Sequence, residues 1–100
     1  MITCDFTIIP IGNGTSCKNY VTAAVQAIKD SGLNYQLTGM GTQIEAENLE
    51  ELYSAIANAQ EAIFEMGVDR AYTVIKIDDR RDMKNRTLDA KVDSVNKKLK

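Results

Sequence analysis

Residues 37–47, LTGMGTQIEAE, bring hydroxyl, thioether, amide and carboxylate groups together around a turn. Thr38, Gln43 and Glu45 fall on the strand face away from Leu37, Ile44 and Ala46. Groups of this kind either face water or form a polar wall for a ligand or a second subunit. Reactive chemistry is more restricted. The chain contains no histidine, which excludes Ser-His and Cys-His nucleophile activation and any imidazole acid–base near neutral pH. Catalysis would have to rest on carboxylates, lysine or tyrosine.

The other chemically suggestive stretches are weaker. Cys4 and Cys17 match no C-x-x-C spacing, and without histidine they complete no zinc site, so both read as small hydrophobes or inert thiols. Gly12-Asn13-Gly14 precedes a helix, yet Cys17 stands where G-x-G-x-x-G needs its third glycine. A plain helix entry is favoured there over an anion site. The run Asp78-Asp79-Arg80-Arg81-Asp82 is mixed in sign. It reads as a charged strand end or an intersubunit salt-bridge cluster, because adjacent strand carboxylates point to opposite faces and cannot share a metal.

These groups must be positioned by a small set of elements. Residues 2–10 alternate, with Cys4, Phe6 and Ile8 on one face and Asp5 and Thr7 on the other, and Pro10 closes the strand. Ser16 is the expected N-cap of a helix whose stripe is Val21, Ala24, Val25 and Ile28, and Gly32 ends it. A strand near 33–39 and another near 42–47 flank Gly39-Met40-Gly41, where the glycines are expected to supply the positive φ of a tight hairpin. Asn48 and Glu51 form a candidate capping box before the stripe Leu49, Leu52, Tyr53, Ile56, Ala59 and Ile63, which stops at Gly67. The segment 70–78 alternates Ala71, Thr73, Ile75 and Ile77 against Tyr72, Val74 and Lys76, and Leu88, Val92, Val95 and Leu99 mark a terminal helix.

The order βαββαβ, with one amphipathic helix in each half, predicts an α+β, ferredoxin-like sandwich within one domain, residues 1–100. Right-handed crossovers give a four-stranded antiparallel sheet of order 4-1-3-2, both long helices on one face and a further C-terminal helix. The other face is expected to be open and to carry Asp5, Thr7, Gln36, Thr38, Gln43, Glu45, Tyr72, Val74 and Lys76. Its centre is poor in lysine and glutamate, which suits a second sheet stacked on it with polar pockets between.

Composition narrows the partners. Net charge is −2, with 44% hydrophobic and 26% charged residues. That describes an ordinary globular chain with no basic excess for nucleic acid or an anionic membrane. An RNA-recognition domain of this fold would need stacking aromatics where Asp5, Thr7, Gln43 and Glu45 stand. An acylphosphatase-like enzyme would want an arginine in IGNGTSCK, which has none. No apolar run approaches the roughly 20 residues of a membrane span. The N-terminal stretch carries Asp5 and no basic leader, so a cytoplasmic location is expected.

Longer motifs add a family. The strand end P-I-G, the helix S-x-x-x-Y-V-x-A-A-V beginning at Ser16, the hairpin G-M-G-T-x-I-E-A and the strand end Y-T-x-I-K-I-D-D-R-R-D run in order over nearly the whole chain. Together they resemble the small thiamine-binding proteins of the MTH1187/YkoF-like superfamily. The resemblance implies a ferredoxin-like subunit forming a homodimer or homotetramer by stacking sheets. It also implies binding of thiamine or its hydroxymethylpyrimidine moiety at the oligomer interface, without catalysis and without a cofactor or metal. A carboxylate beside a hydroxyl or amide would satisfy the pyrimidine amine and a ring nitrogen, while a thioether or aromatic packs on the ring. Glu45, Thr38, Thr42 and Met40 supply that set near the 38–45 hairpin, with Ser16 and Tyr20 as neighbours at the helix entrance. The alternative is a regulatory or scaffolding oligomer whose open face serves only assembly or partner docking. An enzyme using Glu45 or Asp5 as acid–base is least supported, for want of a partner base.

Overall fold

The structure is a computed structural model and describes residues 1–100. Its elements are β1 (Ile2–Pro10), α1 (Lys18–Asp30), β2 (Tyr35–Leu37), β3 (Thr42–Ala46), α2 (Leu49–Phe64), β4 (Ala71–Asp79) and α3 (Leu88–Asn96). The strands form one antiparallel sheet of order β2-β3-β1-β4, the expected 4-1-3-2 arrangement viewed from the other edge. This is the ferredoxin-like α+β fold.

The period-2 pattern of β1 turns Ile2, Cys4, Phe6 and Ile8 toward the helices, where all four are buried. Ile44 and Ala46 of β3 meet them, and Ala24 and Ile28 of α1 with Leu52, Ala55, Ile56, Ala59 and Ile63 of α2 close the core. Ile28, Ile44, Leu52 and Ile63 are fully enclosed, each contributing about 1.5–3 kcal/mol of transfer free energy. The two long helices end as their sequences suggest: Gly32 and Gly67 adopt φ +82° and +88°, which side chains rarely tolerate. Asn48 accepts the Glu51 N–H at 2.9 Å and caps α2.

Three expectations are corrected. Ser16 does not cap α1: the helix starts later, at Lys18, and the cap position falls on Cys17, which makes no side-chain capping bond. Neither Gly39 nor Gly41 has positive φ. The turn is instead held by Thr38, whose hydroxyl donates to the Gly41 carbonyl at 2.8 Å and accepts the Met40 and Gly41 N–H groups at 3.4 and 3.2 Å. Gly41 is needed for space: a Cβ there would lie 2.6 Å from Asp5 Oδ1 and 2.9 Å from Thr7 Oγ1.

The third correction concerns the open face, which is not wholly open. α3 crosses its lower half, taking bonds from three strands. Glu45 of β3 accepts the Leu88 N–H, Gln36 of β2 donates to Asp89 at 2.9 Å, and Asp78 of β4 pairs with Lys91. Thr3, in register between Glu45 and Asp78, is 5% exposed on that face. The helix docks through polar groups, so its apolar stripe is turned away: Val92 and Val95 remain exposed, as does Leu99 just beyond its end.

The charged run is a charged strand end, one of its two expected readings, and it pairs within the chain. Arg80 bonds Asp82 at 2.7 Å and Arg81 bonds Asp79 at 3.0 Å, while Asp78 reaches Lys91 on the opposite face. Arg80 holds the Asp82 carboxyl down at about 2 through its hydrogen bonds. The N-terminal amine closes this corner by donating to the Arg80 and Met83 carbonyls, both at 3.1 Å.

Candidate functional site

Two cavities stand out, one at the 38–42 hairpin and one on the open sheet face. The first, of about 190 Å³, opens where β3 begins at Thr42 and leaves the upper half of β1 unpaired on that side. Val21 and Val25 of α1 form one wall, Phe6 and Ile8 the floor, and Leu37 through Thr42 curl over it. The lining is apolar with a few hydroxyls: Thr7, Thr38 and Thr42. Thr7 donates to the Met40 carbonyl at 3.2 Å and so ties the turn to β1. Met40 itself is 89% exposed at the rim. This volume lies below the roughly 300–1,000 Å³ of pockets that enclose drug-sized ligands, and it suits one ring rather than two.

The second cavity, of about 290 Å³, lies on the open sheet face and ends against Leu88 and Lys91 of α3. Its floor is a cross-strand row, Gln43–Asp5–Lys76, fixed by register across β3, β1 and β4. Asp78 completes the wall, and its bond to Lys91 holds its carboxyl below the usual carboxylate range. Asp5 takes part in none of the ion pairs of the chain. Beneath this row, burial and then the Asp5 charge push the Cys4 thiol up to about 11, which makes it a poor nucleophile.

The structure brings Thr38, Met40 and Thr42 together at the first cavity. Thr42 faces the core side and is 4% exposed. Glu45 lies on the other face of β3 and does not line this cavity, because its Oε1 accepts the Leu88 N–H at 2.8 Å. Ser16 is exposed in the loop before α1, and Tyr20 accepts a 3.3 Å hydrogen bond from Asn13 there. Neither lines the hairpin cavity.

The chain matches the thiamine-binding protein family over residues 4–96. It belongs to that thiamine-binding family. A UPF0045 protein of Methanothermobacter thermautotrophicus is 50% identical over 100 residues, covering 99% of this chain and 100% of the relative. The UPF0045 protein YqgV of Bacillus subtilis is 45% identical over 104 residues, covering 99% and 98%. The crystal structure of protein MJ1052 of Methanocaldococcus jannaschii superposes with a TM-score of 0.86 at 32% identity, over 95% of each chain. The MJ1052 structure thus shares the sandwich over 95% of its length.

Within this member of the thiamine-binding family, the feature not singled out from sequence is the Gln43–Asp5–Lys76 row. Alternation places all three residues on the open face, but only the strand register makes them neighbours. No helix is long and apolar enough to cross a membrane.

Proposed function

We propose that this chain, acting as one domain, binds thiamine or its hydroxymethylpyrimidine moiety without catalysing a reaction. The hairpin cavity receives the pyrimidine ring. The observation that carries this reading is the convergence of Thr38, Met40 and Thr42 on one ring-sized apolar slot against Val21 and Val25. Family membership supports the ligand class. In this reading the ring lies between the aliphatic wall and the Met40 thioether, where a sulfur–aromatic contact contributes about 0.3–1.5 kcal/mol. Thr42 offers its hydroxyl, while Thr38, fully used by the turn, shapes the rim.

The assembly is a cytoplasmic homodimer or homotetramer that covers Val92 and Val95 of α3 and Leu99 just beyond it, together with Tyr72 and Val74 of β4, all exposed in the single chain. That same apolar surface favours a second reading, in which assembly is the whole function and no small molecule is bound. A melting scan with thiamine, its phosphates and hydroxymethylpyrimidine separates the two. Ligand binding raises the melting temperature in proportion to its excess over Kd. An oligomer that no compound of the panel stabilises leaves only the scaffold reading.

A further inference from the structure

We propose that the unpaired backbone N–H and C=O of Ile8 recognise the amine edge of the pyrimidine; this inference rests on the pyrimidine reading given above. Backbone groups alternate in direction along β1. Arg80 N–H donates to the Met1 carbonyl at 3.2 Å and Ile11 N–H donates to the Arg70 carbonyl at 2.8 Å, so the odd-numbered residues point at β4. The even-numbered residues point at β3, where Ile2, Cys4 and Phe6 meet Ala46, Ile44 and Thr42, and there the pairing stops. Ile8 comes next. Continued register would set it against Met40, but the Met40 N–H donates to the Thr38 hydroxyl and the Met40 carbonyl accepts from Thr7. The chain therefore gives neither backbone group of Ile8 a partner.

Ile8 is 4% exposed and lines the hairpin slot. Backbone groups so enclosed are almost always paired, so this donor and acceptor call for a partner in the slot. The strand sets the partner's shape. The N–H and C=O of one residue lie side by side and ask for an acceptor and a donor that are neighbours in one plane. The bare edge is one residue long, because Pro10, the next residue pointing that way, has no N–H. An added peptide strand would find a single rung there, whereas a flat ring uses all of it. The amino group of hydroxymethylpyrimidine and the ring nitrogen beside it form such a pair. The amine donates to the Ile8 carbonyl, and the ring nitrogen accepts the Ile8 N–H. In the oxo analogue, oxygen replaces the amine and the neighbouring nitrogen carries hydrogen. Acceptor then faces acceptor and donor faces donor, and a mismatch of this kind in a closed site is rejected strongly.

The test is titration of the intact chain with hydroxymethylpyrimidine and with its oxo analogue, followed by calorimetry and by amide NMR. Saturating hydroxymethylpyrimidine should slow solvent exchange of the Ile8 amide about tenfold or more. Exchange at Thr7 and Ile9, whose amides face β4, should stay unchanged. The oxo analogue should bind about tenfold or more weakly, the equivalent of about 1.4 kcal/mol. Bound hydroxymethylpyrimidine with no added protection at Ile8, or equal affinity for the two compounds, would overturn the role of Ile8 and leave the pyrimidine site standing. Absence of hydroxymethylpyrimidine binding removes the pyrimidine reading and this inference together.

Discussion

Glu45 Oε1 accepts a 2.8 Å hydrogen bond from the backbone N–H of Leu88, the first residue of α3. A helix start has four N–H groups without intrahelical partners and a partial positive charge. Thr87 serves one of them by accepting from Ala90 at 3.1 Å, and Glu45 serves another from across the sheet. A residue that looks like a ligand carboxylate in sequence is therefore the anchor of a helix in the structure. The sheet, through Glu45, Gln36 and Asp78, decides where α3 lies.

Substitution separates the anchoring role from charge. Glu45→Ala removes the acceptor, and loss of a helix-start bond costs about 0.5–2 kcal/mol. Amide hydrogen exchange in the first turn of α3 should accelerate, with β1 and α2 unchanged. Glu45→Gln keeps an acceptor oxygen and should preserve most of the protection. Unchanged exchange in Glu45→Ala would show that the bond does not hold the helix.

The sheet order, both long helices and the face assignment of β1 and β3 were legible because burial imposes periods of 2 and 3.6 on Phe6, Ile8, Ile44, Ile28 and Leu52. The cavity residues Thr38, Met40 and Thr42 were legible from their place in one hairpin. What escaped depends on contacts between distant segments. The stripe of α3 predicts a helix but not which side is covered, since a polar docking leaves Val92 and Val95 outward. Gly41 reads as a turn glycine, and only the approach of Asp5 and Thr7 reveals the packing reason. The Lys18 start of α1 also escaped, because Ser16 is the better capping residue and helix starts vary by a residue or two.

Gly41→Ala should destabilise by about 1–3 kcal/mol, the usual cost of overpacking, although its backbone φ suits alanine. The nearest atom is Asp5 Oδ1 at 2.6 Å, with the Phe6 carbonyl at 3.3 Å. Combining it with Asp5→Ala should recover part of the loss, so the two changes are less than additive in urea denaturation. Strict additivity would mean that Asp5 is not what Gly41 accommodates.

Cys4 gives a signature at alkaline pH. Its folded value of about 11 lies above the ordinary thiol value of 9.0, so the folded chain holds this proton to higher pH than the unfolded chain. The associated stability is fully present below pH 9 and is lost as pH rises toward 11. The urea midpoint should fall across that window, and less steeply in Cys4→Val. At pH 8 a thiol reagent should modify Cys17, which is half-buried, well before Cys4; equal rates would contradict the burial of Cys4.

The outward face of α3 tests the assembly. Val95 is 60% exposed and makes no part of the core, so Val95→Asp should leave the fold of the single chain intact. Light scattering is expected to give a dimer or tetramer for the unmodified chain and a smaller species for Val95→Asp. A monomer in both cases removes α3 from any interface.

The central claim is most directly tested by filling the slot between α1 and the hairpin. Calorimetric titration with hydroxymethylpyrimidine, the ligand that needs only this cavity, should give saturable binding to the unmodified chain. Val25→Trp, verified as folded by circular dichroism, should abolish it. Equal affinity in the folded Val25→Trp variant would place the pyrimidine elsewhere and contradict the account.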